Sequence, residues 1–117
     1  MESVGDPGNL GTMLRCGAAA SVRRLWLAGP GCVDPCSPKV LRSSAGYWFR
    51  VPVQAAPEVR ELVERTLARQ GSWQVLACMP PEEADCGDRK GSLCFWNVDF
   101  RRPTLVLLGT QSARART

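Results

Sequence analysis

Six cysteines are the residues of this 117-residue chain with the widest choice of chemistry. Cys32 and Cys36 are separated by three residues in a segment rich in glycine and proline, and Cys78, Cys86 and Cys94 recur every eight residues. Thiolates can bind zinc, but structural zinc sites usually combine two close cysteine pairs, and only one close pair exists here. We therefore expect small apolar side chains or free thiols. A zinc or redox module built from these five cysteines is the alternative.

Carboxylates cluster in the same part of the chain, at Glu82, Glu83, Asp85 and Asp88. Their spacing does not match the ligand positions of a calcium loop, so we interpret the segment as a solvated loop. Histidine is absent, which excludes Ser-His-Asp and Cys-His catalysis. No glycine-rich segment has the position and the following lysine of a phosphate-binding loop. We predict no catalytic residue, no cofactor and no bound metal.

An amphipathic helix over residues 57–70 is the clearest element that the sequence predicts. Pro57 suits the first helical turn, and Gly71 can take the left-handed conformation that ends a helix. The apolar residues of this helix share one face, because they recur at helical spacing: Val59, Leu62, Val63 and Leu67. We predict that this interaction face packs as core against the flanking strands, with Leu62 well buried. Docking of a partner is the alternative use.

Alternating apolar residues predict strands around this helix, over 47–53 and 73–78 and near 93–100 and 104–108. Strand, helix and strand within about thirty residues form the βαβ pattern, which sets two strands parallel through a right-handed crossover. The predicted fold class is therefore α/β or α+β. Its folded part is a small βαβ-type module over residues 46–109.

The two ends of the chain are predicted to lie outside this module, with a flexible or weakly helical region over 1–45 and a basic tail over 110–117. Residues 13–33 contain Arg15, Arg23 and Arg24 and no acid, which is typical of a mitochondrial presequence. A short surface helix is the other interpretation. A nucleic-acid domain normally interleaves clustered basic residues with aromatic ones, and this chain instead places its excess charge in its last residues.

The composition indicates a GC-rich reading frame, since Arg outnumbers Lys by 13 to 2 and Ile is absent. A truncated or alternative product is one explanation. We predict a small, non-enzymatic, cytoplasmic protein-interaction or regulatory protein, whose partner is another protein and not a specific nucleic acid, with no transmembrane segment. The alternatives are a mitochondrial accessory protein with an N-terminal presequence and the cysteine-based zinc or redox module.

Overall fold

The computed structural model describes residues 4–56, 58–78 and 93–109. The described residues form two compact units, one drawn from residues 4–62 with residue 109 and one drawn from residues 63–108. Each unit contains a pair of short parallel strands, which confirms the predicted fold class. The elements in chain order are helix α1 (Pro7–Ala19), strand β1 (Leu25–Ala28), helix α2 (Pro38–Ser43), a 3₁₀ helix (Tyr47–Phe49), strand β2 (Val53–Ala56), helix α3 (Val59–Leu67), strand β3 (Gln74–Ala77), a second 3₁₀ helix (Phe95–Asn97) and strand β4 (Thr104–Leu107).

Helix α1 begins at an aspartate cap. The Asp6 carboxylate accepts hydrogen bonds from the backbone N–H groups of Gly8 at 2.6 Å and Asn9 at 3.4 Å. Pro7 follows at the first helical position, where its missing N–H would have no partner within the helix. Asp6 and Pro7 together therefore fix the start of helix α1.

Helices α1 and α2 touch at Gly11. A Cβ atom at this position would lie 2.6 Å from both the carbonyl carbon and the Cβ of Ser43, which is closer than carbon atoms approach one another. The Ser43 hydroxyl also donates a hydrogen bond to the Pro7 carbonyl oxygen at 3.0 Å. The two helices can pack at this distance because residue 11 has no side chain.

Strands β1 and β2 pair in parallel, with Leu25 opposite Val53 and Ala28 opposite Ala56. Parallel strands need a long connection, and helix α2 and the first 3₁₀ helix lie within it. The buried apolar side chains of this unit come mostly from α1, β1 and the connection: Val4, Leu10, Leu14, Leu25, Leu27, Ala28, Val40 and Val51.

Strands β3 and β4 of the second unit also pair in parallel, from Gln74 opposite Thr104 to Ala77 opposite Leu107. The Gln74 side-chain amide donates to the Thr104 hydroxyl at 2.7 Å and to the Asp99 carbonyl oxygen at 2.8 Å. Every residue of these two strands is half-buried or exposed. Hydrogen bonds, and not fully buried side chains, are therefore what the two described strands contribute to this pairing.

Two of the predicted strands are confirmed and two are wrong. Strands β3 and β4 lie within predicted residues 73–78 and 104–108. In the predicted strand 47–53, however, Gly46 takes a φ of 83° and a 3₁₀ helix follows it. Strand β2 begins only at Val53. The described part of 93–100 is also 3₁₀ helix and loop, because backbone bonds such as Val98 N–H to Phe95 C=O close short turns.

The predicted βαβ unit around helix α3 has the right parallel geometry but the wrong strand partners. Strand β2 pairs with β1, and β3 pairs with β4, so β2 and β3 are not neighbours. Helix α3 lies within predicted residues 57–70, although Pro57 is outside the described residues. On its apolar side Val59, Leu62 and Val63 are half-buried and Leu67 is 57% exposed. Leu62 is thus half-buried where we expected it to be well buried, and the role of this interaction face stays a prediction.

The described part of residues 1–45 differs from the flexible or weakly helical region that we predicted. It contains α1, β1 and α2. The segment 13–33, whose composition suggested a presequence, supplies Leu14, Leu25, Leu27 and Ala28 to the buried core. The predicted basic tail, 110–117, lies outside the described residues, and the single module over 46–109 stays a prediction. No helix in the described ranges combines the length and the apolar character needed to span a lipid bilayer.

Candidate functional site

The loop that follows strand β1 lies where parallel α/β proteins bind their ligands, outside the carboxyl end of a strand. Gly29 and Gly31 open it with φ angles of 82° and 80°, a conformation that favours glycine. Val33 then donates from its backbone N–H to the Val4 carbonyl oxygen at 2.7 Å. The segment before α1 and the loop after β1 are therefore joined.

The second half of this loop is fixed by side chains. The Asp34 carboxylate accepts a hydrogen bond from the Cys36 N–H at 2.9 Å, and the Trp48 indole N–H donates to the Pro35 carbonyl oxygen at 2.9 Å. The Ser37 hydroxyl accepts from the Val40 N–H at 3.4 Å and so caps helix α2. These polar groups are used to hold the loop in place. The result is a well-defined surface at the end of β1.

The structure does not gather the candidate cysteine ligands into a metal site. Cys32 is half-buried and its thiol donates to the Ala28 carbonyl oxygen at 3.4 Å. Cys36, Cys78 and Cys94 are exposed free thiols, and Cys86 lies outside the described residues. Across 4–56, 58–78 and 93–109, no three Cys, Asp or Glu side chains come together as metal ligands. The assignment of these thiols stays a prediction.

A shallow concave surface lies after helix α2. It has a volume of about 250 Å³ and is lined by Ala45, Gly46, Tyr47 and Arg50. Ala45 and Gly46 are consecutive residues with positive φ, 50° and 83°, and they turn the chain from α2 into the 3₁₀ helix. The surface is small and open to solvent, and its functional groups are the aromatic ring of Tyr47 and the guanidinium of Arg50.

Positive charge is also present on the first unit, and not only near the end of the chain. Arg15 on helix α1 is exposed, as are Arg23 and Arg24 just before strand β1. The Arg24 guanidinium lies 5.5 Å from the centre of the Trp26 ring, a distance at which the ring attracts a cation. These groups can attract phosphates without forming a pocket.

In the second unit, Asp99 and Arg101 form an exposed, two-point ion pair. Arg101 donates from Nε to Oδ1 at 2.9 Å and from Nη2 to Oδ2 at 3.2 Å. These side-chain bonds, and then the bond from the Arg101 backbone N–H, lower the pKa of the Asp99 carboxyl below its ordinary value. The same pair raises the pKa of Arg101. The next residue, Arg102, donates instead to the Ser72 hydroxyl at 2.6 Å.

The chain is an α/β protein with parallel strand pairs, a loop held by hydrogen bonds at the end of a strand, and exposed arginines. The sequence pattern of the SpoU rRNA Methylase family matches residues 1–113. The match covers more than half of the chain. The chain belongs to this family.

Named relatives agree with that assignment. An uncharacterized tRNA/rRNA methyltransferase from Synechocystis sp. is 41% identical over 111 residues, which are 95% of this chain and 36% of the relative. A 23S rRNA (uridine-2'-O)-methyltransferase from Streptomyces viridochromogenes is 31% identical over 92% of this chain and 35% of its own length. The mitochondrial rRNA methyltransferase 3A of Danio rerio is 58% identical over 52 residues, 44% of this chain and 12% of that protein.

A solved structure of the SpoU methyltransferase AviRb from Streptomyces viridochromogenes, in complex with the cofactor AdoMet, has the same fold. It superposes on 96% of this chain and 40% of its own with a TM-score of 0.72 and 29% identity. The chain thus spans about a third of the length of the first two relatives above.

These findings correct several predictions made from the sequence. The non-enzymatic protein-interaction or regulatory protein is wrong, as is the exclusion of a specific nucleic acid partner, because the family and the relatives are named for methylation of RNA. The alternatives of a mitochondrial accessory protein and a cysteine-based zinc or redox module are also overturned as functions. The error came from equating the absence of histidine with the absence of catalysis.

The sequence patterns did not predict helix α1 and the loop after strand β1 as a candidate site. A general signal for the helix was present, since Asp followed by Pro is a cap and a first-turn residue. No general rule of spacing marks the loop as part of an RNA methyltransferase.

Proposed function

We propose that this chain acts in the methylation of ribosomal RNA, as the SpoU domain of an RNA methyltransferase that takes its methyl group from AdoMet. One observation carries the proposal, namely the family match over residues 1–113. The fold shared with an AdoMet-bound methyltransferase supports it. Because the chain spans about a third of its relatives, activity, substrate and cofactor are all proposals for this protein.

The ribose 2'-hydroxyl is the acceptor that we propose, because the Streptomyces relative is named for that position. The chain carries a net charge of +4, and three exposed arginines lie in α1 or just before β1. Such groups neutralise RNA phosphates and hold the backbone without reading sequence. We assign Arg15, Arg23 and Arg24 this electrostatic role.

The described residues do not by themselves fit AdoMet. The cofactor needs a pocket that buries its adenine and polar groups that meet its ribose, amino and carboxylate groups. The concave surface around Tyr47 and Arg50 is open and has no carboxylate in its lining. Within 4–56, 58–78 and 93–109, every buried side-chain polar atom already has a hydrogen-bond partner. We therefore derive no step of the reaction through these residues.

A mitochondrial location is the second part of the proposal. Several relatives, including those of Danio rerio and Xenopus tropicalis, are named mitochondrial rRNA methyltransferases. These relatives support the mitochondrial location. The arginine-containing segment 13–33 does not, because its apolar residues belong to the buried core. Fractionation of cells that express the tagged chain should place it with mitochondrial ribosomal RNA. Recovery in the cytosol alone would contradict this part and leave the methylation proposal intact.

The proposed activity is tested by incubating the purified protein with methyl-tritiated AdoMet and deproteinised ribosomal RNA. We expect tritium in acid-insoluble RNA, and a 2'-O-methylated nucleoside after digestion. Reactions without RNA, and reactions with S-adenosylhomocysteine in excess, are the controls. Tritium only in a base would overturn the ribose assignment, and no incorporation with any ribosomal RNA would overturn the proposal.

A further inference from the structure

Three aromatic rings lie exposed together in the second unit. Phe95, Trp96 and Phe100 have 64%, 86% and 48% of their surface accessible to solvent. Soluble proteins place single apolar residues at the surface freely, but a group of large rings marks a contact site more often. We call these three residues the aromatic cluster.

Phe95 is the centre of the aromatic cluster. Its ring centroid lies 5.4 Å from that of Trp96, edge to face at 80°, and 5.3 Å from that of Phe100, tilted by 47°. The edge-to-face contact leaves most of the Trp96 indole uncovered, in keeping with its high exposure. A flat apolar group can therefore stack on the indole without displacing Phe95.

Backbone hydrogen bonds hold the segment that carries the aromatic cluster. The Val98 N–H donates to the Phe95 carbonyl oxygen at 3.2 Å, and the Asn97 N–H to the Cys94 carbonyl oxygen at 2.9 Å. The carbonyl oxygen of Asp99 accepts from the Gln74 side chain of strand β3 at 2.8 Å. The rings are thus presented from a short segment that is tied to the strand pair.

Two arginines directly follow the aromatic cluster. Among residues 4–56, 58–78 and 93–109, the exposed Asp99 is the partner recorded for the Arg101 guanidinium. An exposed ion pair is worth little, so this guanidinium can exchange the carboxylate for a phosphate. Arg102 stands next to it and bonds Ser72. Residues 100–109 contain no acid, whereas Glu82, Glu83, Asp85 and Asp88 precede the rings in the sequence. Arg101 and Arg102 are therefore the groups beside the rings that suit an anionic partner.

We propose that the aromatic cluster is a stacking surface for unpaired bases of RNA, with the backbone phosphates drawn to Arg101 and Arg102. Stacking on aromatic rings beside basic groups is how proteins hold single-stranded nucleic acid, because every base has a flat π-face. A protein partner would also use aromatic residues and arginine. The acid-free segment after Asp99 and the family of the chain favour RNA. This proposal rests on the proposed function, because the stacking surface holds unpaired bases of the RNA that the protein is proposed to methylate.

The test compares the full chain with matched variants by fluorescence anisotropy. The probes are a labelled oligouridine of about 12 nucleotides, within the usual size of such sites, and a duplex of the same length. We expect Trp96→Ala to weaken oligouridine binding about tenfold and Trp96→Phe to retain most of it. Duplex binding should change less than about twofold, since paired bases offer no free faces.

Phe49→Ala is the matched control. Phe49 is 80% exposed and also stands edge to face with a tryptophan, Trp48, but it belongs to the first unit. Its replacement should leave oligouridine binding unchanged, and circular dichroism should show both variants folded. Equal oligouridine affinity of Trp96→Ala and the parent chain would overturn the proposal, whether or not the variant then loses a protein partner.

The methyl-transfer assay separates this proposal from the proposed function. Oligouridine binding that depends on Trp96, together with no methyl transfer to any RNA, would uphold the stacking surface and overturn the enzyme. Methyl transfer with oligouridine affinity unaffected by Trp96→Ala would uphold the enzyme and overturn the stacking surface.

Discussion

Gly11 shows how a single missing side chain sets the packing of the first unit. Gly11→Ala would place a Cβ against the backbone of Ser43, and we expect a loss of about 1–3 kcal/mol in the free energy of unfolding, as overpacking usually costs. Gly17→Ala, in the same helix, meets Val22 at an ordinary 3.6 Å. It should instead be neutral or stabilising by up to about 1 kcal/mol. Urea unfolding of both variants measures the contrast, and equal stability would contradict the close helix contact.

Asp99 gives a prediction for acid titration. Its hydrogen bonds from the Arg101 side chain and backbone lower its pKa in the folded chain. The pair therefore stabilises the fold above the ordinary carboxyl pKa, and this contribution is lost as the pH falls through the lowered value. Arg101→Ala should raise the pKa of Asp99 toward its ordinary value. NMR titration of the Asp99 carboxyl carbon measures it, and an unchanged pKa would exclude the ion pair in solution.

At the scale of elements, helix α1 carries more of the stability than the more regular helix α3. Leu14 in α1 is fully buried, whereas Leu67 in α3 is 57% exposed. We expect Leu14→Ala to cost about 2–5 kcal/mol and Leu67→Ala less than about 1 kcal/mol. Chemical unfolding followed by circular dichroism compares these two identical truncations. A larger loss at Leu67 would show that the core lies elsewhere.

The cap of helix α1 can be tested in the same way. Asp6 satisfies two backbone N–H groups that have no partner within the helix. Asp6→Ala should therefore lower stability by about 0.5–2 kcal/mol. Asp6→Asn keeps an oxygen acceptor at the cap and should stay close to the parent chain. A melting temperature unaffected by Asp6→Ala would show that the helix begins further along the chain.

The sequence predicts the elements that a local rule describes and misses those set by partners far along the chain. Helix α3 and strands β3 and β4 follow from periodicity alone. The pairing of β1 with β2 does not, because it joins residues 25–28 to residues 53–56, which lie 28 positions further along the chain. The alternating apolar residues over 47–53 indicated a strand. Backbone N–H and C=O groups after Gly46 instead bond to each other within a short turn, so they are not available for a strand ladder.

At the scale of the molecule, the candidate site was out of reach of general rules. Residues 29–37 contain the pair Cys32 and Cys36 but no histidine and no phosphate-binding loop. The family match extends over residues 1–113 as a whole, and a match of that kind does not follow from the chemistry of single residues. The cysteines were candidate metal ligands because thiolates bind metals, and the described cysteines are free thiols.

The proposed function is the methylation of ribosomal RNA on a ribose. Alkaline hydrolysis tests it most directly, because cleavage needs a free 2'-hydroxyl and a methylated ribose resists it. Ribosomal RNA is compared from cells with the protein, cells without it, and cells that receive it again. We expect one position that resists alkaline hydrolysis in cells with the protein, becomes cleavable in cells without it, and resists again when the protein is restored. Restoration with the Gly17→Ala variant should recover this resistance more fully than restoration with Gly11→Ala. Identical hydrolysis patterns in all of these cells would contradict the account.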